Sequence, residues 1–179
     1  MRRRRREARN ISKGIVTGIV GGLVASWMMD QFQAVESRVQ QAWQKSAHRE
    51  QKPDSAYSEP DSDNATMKVA DRLANLVANR HLTKEQKKKA GPIVHYAYGA
   101  LIGGLYGGIS EVFPLARLGA GTGYATAAWL FGDEIAVPKL GLSKPPEEFP
   151  LSVHANALAS HLVYGVTTHA VHKGLRAVI

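Results

Sequence analysis

The chain contains no cysteine, which excludes disulfides and thiolate metal sites. It also lacks a nucleophile elbow, a phosphate loop and any kinase signature. The glycine strings at 101–109 and 119–124 follow no strand-like run and have no acidic ribose partner, so a dinucleotide fingerprint is missing too. No His-x-x-x-His pair carries the carboxylate spacing of a zinc motif. No catalytic residue, cofactor or metal is therefore expected, and an enzyme is the least expected class. Charge is missing where it matters most. From Gly91 to Phe113 the only formal charge is Glu111.

What that stretch holds instead is a strip of small residues. His95, Gly99, Gly103, Gly107 and Glu111 recur every four positions, and Gly14, Gly18, Gly22, Ser26 and Asp30 repeat the pattern near the N-terminus. Residues four apart lie on neighbouring turns of one helix face, so each strip is a groove that a second backbone can approach. Glycine costs about 1 kcal/mol per residue in a water-exposed helix. In lipid the backbone has no other hydrogen-bond partner, so the cost is tolerated. The chain reads as a small multipass membrane protein.

The slightly negative mean hydropathy hides this, because residues 31–90 hold 11 of the 23 Lys and Arg and 8 of the 15 acids. The net charge of +8 raises nucleic acid as a partner. The basic residues flank apolar spans, however, where anionic lipid explains them, and no nucleic acid is expected. Arg2 to Arg6 before an apolar run also resembles a signal peptide cleaved near Val24-Ala25-Ser26. Against that, the helical pattern runs on through Phe32, Val35, Val39 and Trp43. No Phe-Leu-Lys core marks a twin-arginine signal.

The fold expected is all-α: a four-span transmembrane bundle with glycine-rich helix interfaces and an amphipathic extramembrane segment. Residues 1–13 form a basic tail. Residues 14–32 form the first span, continuing as a helical stem to 48. Residues 49–90 form a polar linker and an amphipathic helix over 65–82, with Val69, Leu73, Leu76 and Val77 on one face. Thr83 and Gln86 make a capping box, and Gly91-Pro92 marks the start of span two. The core covers 91–176, with spans at 91–113, 115–137 and 151–171. Phe113-Pro114 forces a tight turn between spans two and three. Gly119 and Gly123 supply a packing strip on span three.

Orientation follows from seven basic residues before span one, Arg117 in the second turn, and Lys173 and Arg176 after span four. All three regions face one side of a four-span chain, placing both termini in the cytoplasm. Lys87, Lys88 and Lys89 dissent from a long loop, where charge has less weight.

The polar residues inside the spans are the candidate functional groups. His95 and Glu111 are 16 residues apart, about 24 Å along the axis, and mark opposite ends of span two. Glu111 is expected to pair with Arg117 or with free amides of the next helix. Asp133 and Glu134 project about 100° apart, one toward the bundle and the other toward the interface and Lys139. Asp30 lies one turn from the polar stem. On span four, His154, His161 and Thr168 recur at seven, and His161, Gly165 and His169 at four, with Asn156, Ser160 and Tyr164 nearby. This face is read as interhelical hydrogen bonding, as a protonatable surface, or as a metal or haem site. His95 is the expected partner of His161.

His95, Tyr106, Glu111-Val112-Phe113-Pro114, Pro138 with Gly141-Leu142, and His161-Leu162-Val163-Tyr164 together resemble the YagU family of bacterial inner-membrane proteins. The resemblance covers residues 90–176. It implies four spans with cytoplasmic ends and a part in surviving acid. This chain has Asp133 where the family carries a histidine, and it lacks the family's outer-loop cysteine pair.

Three functions follow. The first is a membrane stress or homeostasis protein supporting acid resistance, with His95, Glu111, Asp133, His154, His161 and His169 as its protonatable interior. The second is a structural accessory subunit of a larger membrane complex. The third is a small transporter or channel, which needs a homo-oligomer because one four-span chain is small for transport. The lipid bilayer is the common partner.

Overall fold

A computed structural model describes residues 2–46 and 63–179, with side chains described from residue 10 onward except at 44 and 46. Every regular element among these residues is helical. Helix α1 runs over Arg2–Ser46. No proline interrupts it, and at 1.5 Å per residue it is about 68 Å long. The expected end of the stem at 48, and the linker to residue 62, lie outside the described residues.

Helix α2 covers Ala65–Ala78, capped by the Asn64 side chain, which accepts from the Met67 amide at 3.0 Å. It stops four residues earlier than expected, because Asn79 turns left-handed at φ 49°. Helix α3 covers Lys84–Val112. Both bonds of the Thr83–Gln86 capping box form, so α3 begins well before Gly91-Pro92 and carries Pro92 inside it. That proline leaves the Lys88 carbonyl without its helical donor but does not end the helix.

After Pro114 the chain makes one 3-10 turn and then leaves helical space. Leu118 is extended, and Gly119, Ala120 and Gly121 all have positive φ. The segment expected as the third span is therefore not a continuous helix from Leu115. It starts at Thr122 as α4 (Thr122–Ala128), widens into a π-helix over Trp129–Ala136, and ends as α5 (Val137–Lys139). Gly119 serves the turn, and a Cβ on Gly123 would meet nothing within 4 Å. Neither is the packing residue expected. Gly121 and Ala125 take that role against Gly165: a Cβ on Gly121 would lie 2.6 Å from the Gly165 carbonyl oxygen. Helix α6 covers Leu151–Val178, seven residues past the expected end.

Helix α1 packs against both α3 and α6. The two glycine strips mesh antiparallel: Gly14 faces Gly107, Gly18 faces Gly103, and Gly22 faces Gly99. A Cβ on Gly103 would sit 2.6 Å from the Gly22 Cα, so the two backbones touch. On its other flank α1 runs antiparallel to α6, with Gly21 against Thr168 and Thr17 against His172. Helices α3 and α6 thus run parallel, each on one side of α1.

The distribution of side chains is inverted relative to a water-soluble bundle. Thr17, Ser26 and Thr168 are 1%, 0% and 1% exposed, whereas Val16, Leu101 and Phe131 are 57%, 59% and 64% exposed. Small and hydroxylated residues, with Tyr106 and Tyr164, fill much of the interior, while many large aliphatic side chains face outward, as in bundles surrounded by lipid. One helix, over Asn10–Trp43, is long and apolar enough to cross a membrane by length and composition.

Helix α2 is tied to the start of α3 by Asp71, beside the Asp63–Lys87 ion pair at 2.7 Å. Asp71 accepts from the Leu82 amide at 2.7 Å and lies 3.0 Å from His81 and 3.5 Å from Lys87. The Leu82 amide, then His81, hold its carboxyl below the usual carboxylate range. A lowered folded-state value means the anchor is present above the unfolded value of about 3.9 and is lost as pH falls below it. Amide exchange in α2, corrected for intrinsic rates, should be faster at pH 3 than at pH 6, and Asp71→Asn should speed it at pH 6. Equal protection in all three samples would show that α2 is held by something else.

Candidate functional site

Polar side chains gather at the two ends of the bundle. At the end holding the C-terminus, Glu111 of α3 accepts from Arg176 of α6, Nε at 2.7 Å and Nη2 at 3.2 Å. Arg117 stands 3.9 Å away and His172 Nε2 4.0 Å away. The expected partner Arg117 is present, but Arg176 makes the hydrogen bonds. His172 is buried among three helices. Its Nδ1 is 2.8 Å from the Thr17 hydroxyl of α1, and its Nε2 is 3.1 Å from the Ser110 hydroxyl of α3. Those hydroxyls also donate along their own helices, Thr17 toward the Lys13 or Gly14 carbonyl and Ser110 toward the Gly107 carbonyl. Beside them, the Tyr106 hydroxyl is 2.6 Å from His169 Nδ1, and Lys13 donates to the Ile179 carbonyl.

The opposite end collects the remaining candidates. Tyr96 donates to Asp30 at 2.8 Å, and His95 Nε2 lies 3.3 Å from the same carboxylate without hydrogen-bond alignment. Asp133 is 3.6 Å from His161 Nε2, and Glu134 is 2.8 Å from His154 Nδ1. Both carboxylates of the π-helix thus reach histidines of α6. This differs from the expected split between bundle and interface, and Lys139 is not the partner of either. His161 and His95 are not paired with each other. Asp133 lies within electrostatic reach of both and takes the place of a direct contact.

Hydrogen counting gives these histidines their chemistry. An ionised carboxylate and a backbone carbonyl are acceptors only. His154 places Nδ1 on Glu134 and Nε2 on the Pro146 carbonyl at 3.1 Å. His161 places Nδ1 on the Ala157 carbonyl at 2.9 Å and Nε2 toward Asp133. A neutral ring has only one N–H, so it must turn one lone pair toward an acceptor. A protonated ring satisfies both sides. Among the described residues no group of three or more His, Asp or Glu side chains is placed to hold a metal ion.

Sequence reasoning overlooked Arg176, His172, Thr17, Ser110 and Tyr96. A signal for two of them was present. Ser160, Tyr164, Thr168, His172 and Arg176 recur every four residues along α6, and the first four are buried. Ending the span at 171 cut that ladder before its two charge-bearing members.

A family model described as a protein of unknown function (DUF1440) matches residues 61–170. The match takes in α2, α3, the α4–π–α5 segment and most of α6, and therefore the candidates His95, Glu111, Asp133, His154, His161 and His169, but not Asp30 or the glycines of α1. It leaves out α1, His172 and Arg176. No curated protein and no solved structure matches the chain.

Proposed function

The chain belongs to DUF1440, a family of proteins of unknown function, and we propose that it is a multipass inner-membrane protein whose bundle responds to pH, supporting acid resistance or membrane homeostasis. The four spans are α1, α3, the α4–π–α5 segment and α6, with both termini cytoplasmic. Among the described residues only α1 is apolar enough on its own, because α3 and α6 spend many positions on glycine, tyrosine and histidine. What supports spanning is the outward-facing apolar surface between the two polar ends. Lys13 and Asp30 mark those ends on α1 and are about 26 Å apart along the axis, close to the ~30 Å of a hydrocarbon core. The resemblance to the YagU family points the same way.

The observation that carries the pH response is that His154 and His161 each face acceptors with both ring nitrogens. A charged ring turns a lone-pair contact into a charge-assisted one, so these contacts depend on the charge state of the two rings. In mild detergent the change in thermal midpoint between pH 8 and pH 5.5 should differ between wild type and a His154→Gln, His161→Gln variant. The same pH dependence in both proteins sinks the reading.

A second reading has its own support. Val35, Val39 and Trp43 on the stem, and Leu76 and Val77 on α2, are exposed beyond the bundle. An accessory subunit of a larger membrane complex would cover them with a partner protein. Native mass in mild detergent separates that case from a free monomer or homo-oligomer.

A further inference from the structure

Among the described residues, four buried side-chain polar atoms make no hydrogen bond: His95 Nε2, Ser26 Oγ, Thr168 Oγ1 and Trp129 Nε1. An unsatisfied buried polar group is uncommon and calls for a reason. Three of these four lie on one line through the bundle, between its two polar ends.

The line starts at Asp30, with His95 Nε2 beside it. One turn further along α1 is Ser26, whose hydroxyl occupies the space a Cβ on Gly99 would take. Tyr164 reaches the same residue of α3, donating to the Gly99 carbonyl at 2.6 Å. Thr168 lies one turn below Tyr164 on α6, and His172 one turn below that. His172 then leads through Thr17 and Ser110 to Glu111 at the other end. Four residues of helix rise about 6 Å, the reach of one water bridging two polar groups.

We infer that this line of hydroxyl and imidazole groups is a proton path through the bundle, running from the Asp30–His95 end by way of Ser26, Tyr164 and Thr168 to His172 and Glu111. The inference rests on the membrane-spanning reading above. Only O–H and N–H bonds change along it. A proton arriving at Asp30 or His95 is taken up as each hydroxyl accepts one hydrogen and releases another. His172 receives the proton on one nitrogen and passes one from the other to a hydroxyl or to Glu111. Rotation of the hydroxyls and a flip of the His172 ring, which exchanges its two nitrogens, restore the starting arrangement. No oxidant, reductant or co-substrate takes part, and charge is balanced by a counter-ion crossing elsewhere.

The test is reconstitution of the full chain into vesicles of neutral phospholipid loaded with a pH-sensitive dye. Valinomycin and a potassium gradient supply the driving force. Insertion is checked first by flotation after alkaline extraction. Wild type should acidify the lumen several-fold faster than protein-free vesicles. Thr168→Val keeps the shape and removes the hydroxyl, so it should bring the rate down to the protein-free level. Thr168→Ser should restore it. An inserted wild-type protein with no flux above protein-free vesicles overturns the path but leaves the spanning reading intact. Equal flux for wild type and Thr168→Val overturns it as well. A protein that fails to insert overturns both. Should Thr168→Val not fold, Ser26→Ala, which removes another hydroxyl of the line, is expected to give the same loss, and wild-type flux in that variant overturns the path.

Discussion

Gly103→Ala should destabilise the bundle strongly, while Gly123→Ala should leave it unchanged or slightly more stable. The chemical change is the same at both sites. At Gly103 the new methyl would fall 2.6 Å from the Gly22 Cα and closer still to the Gly18 carbonyl, both of them backbone atoms of α1. Neither can swing aside as a side chain would, so α1 and α3 must part along the whole strip. Overpacking of this kind costs about 1–3 kcal/mol at an ordinary core site and more where backbone must move. The loss here is placed at roughly 3 kcal/mol or above, with Gly103→Leu worse still. At Gly123 nothing lies within 4 Å, and alanine is the better helix former by about 1 kcal/mol. Thermal unfolding in mild detergent reads both. Indistinguishable midpoints for Gly103→Ala and Gly123→Ala would mean that α1 and α3 do not touch there.

The second large effect is expected at Glu111. Its carboxylate is 10% exposed and is the shared acceptor for Arg176, with Arg117 and His172 close by. Glu111→Gln keeps the shape but leaves a half-buried guanidinium facing an amide. Removing one member of a buried pair costs about 3–5 kcal/mol. Arg117 is nearly half exposed and contributes little of this. Arg176→Gln combined with Glu111→Gln should recover part of the loss, because the second change removes the orphaned charge. A double mutant that loses the plain sum of the two single effects would show that the two side chains do not depend on each other. Glu111 also sits at the mouth of the inferred proton path, so this cycle should be measured by unfolding and not by flux.

Taken together these results separate two uses of one design. Glycine at four-residue intervals lets three helices meet at backbone distance, and the space left between them is filled by hydroxyls and imidazoles. The same small residues that hold the bundle together decide which polar groups face each other. A bulky substitution in the strip should therefore disturb the pH response as well as stability. The pH dependence of unfolding in a folded Gly22→Ala variant would reveal that link.

The sequence by itself determined the helical class, the two glycine strips, the Thr83–Gln86 cap and the fact that His95 and Glu111 sit far apart on one helix, near opposite polar ends of the bundle. Each is a property of a single helix, set by 3.6 residues per turn and by local capping chemistry. Only the tertiary structure decided that the two strips pack on each other, with Gly18 against Gly103, and that Glu111 bonds to Arg176 rather than chiefly to Arg117. It also decided the turn at 118–121, where Ala120 adopts a left-handed conformation that its own chemistry disfavours. The histidines show the limit most clearly. Their spacing along α6 was legible, but apart from the His161 contact to the Ala157 carbonyl within α6, whether a ring meets a carboxylate, a carbonyl or a hydroxyl depends on residues 8 to 155 positions away. Those partners are set by how four helices cross, and no periodicity within one helix encodes the crossing.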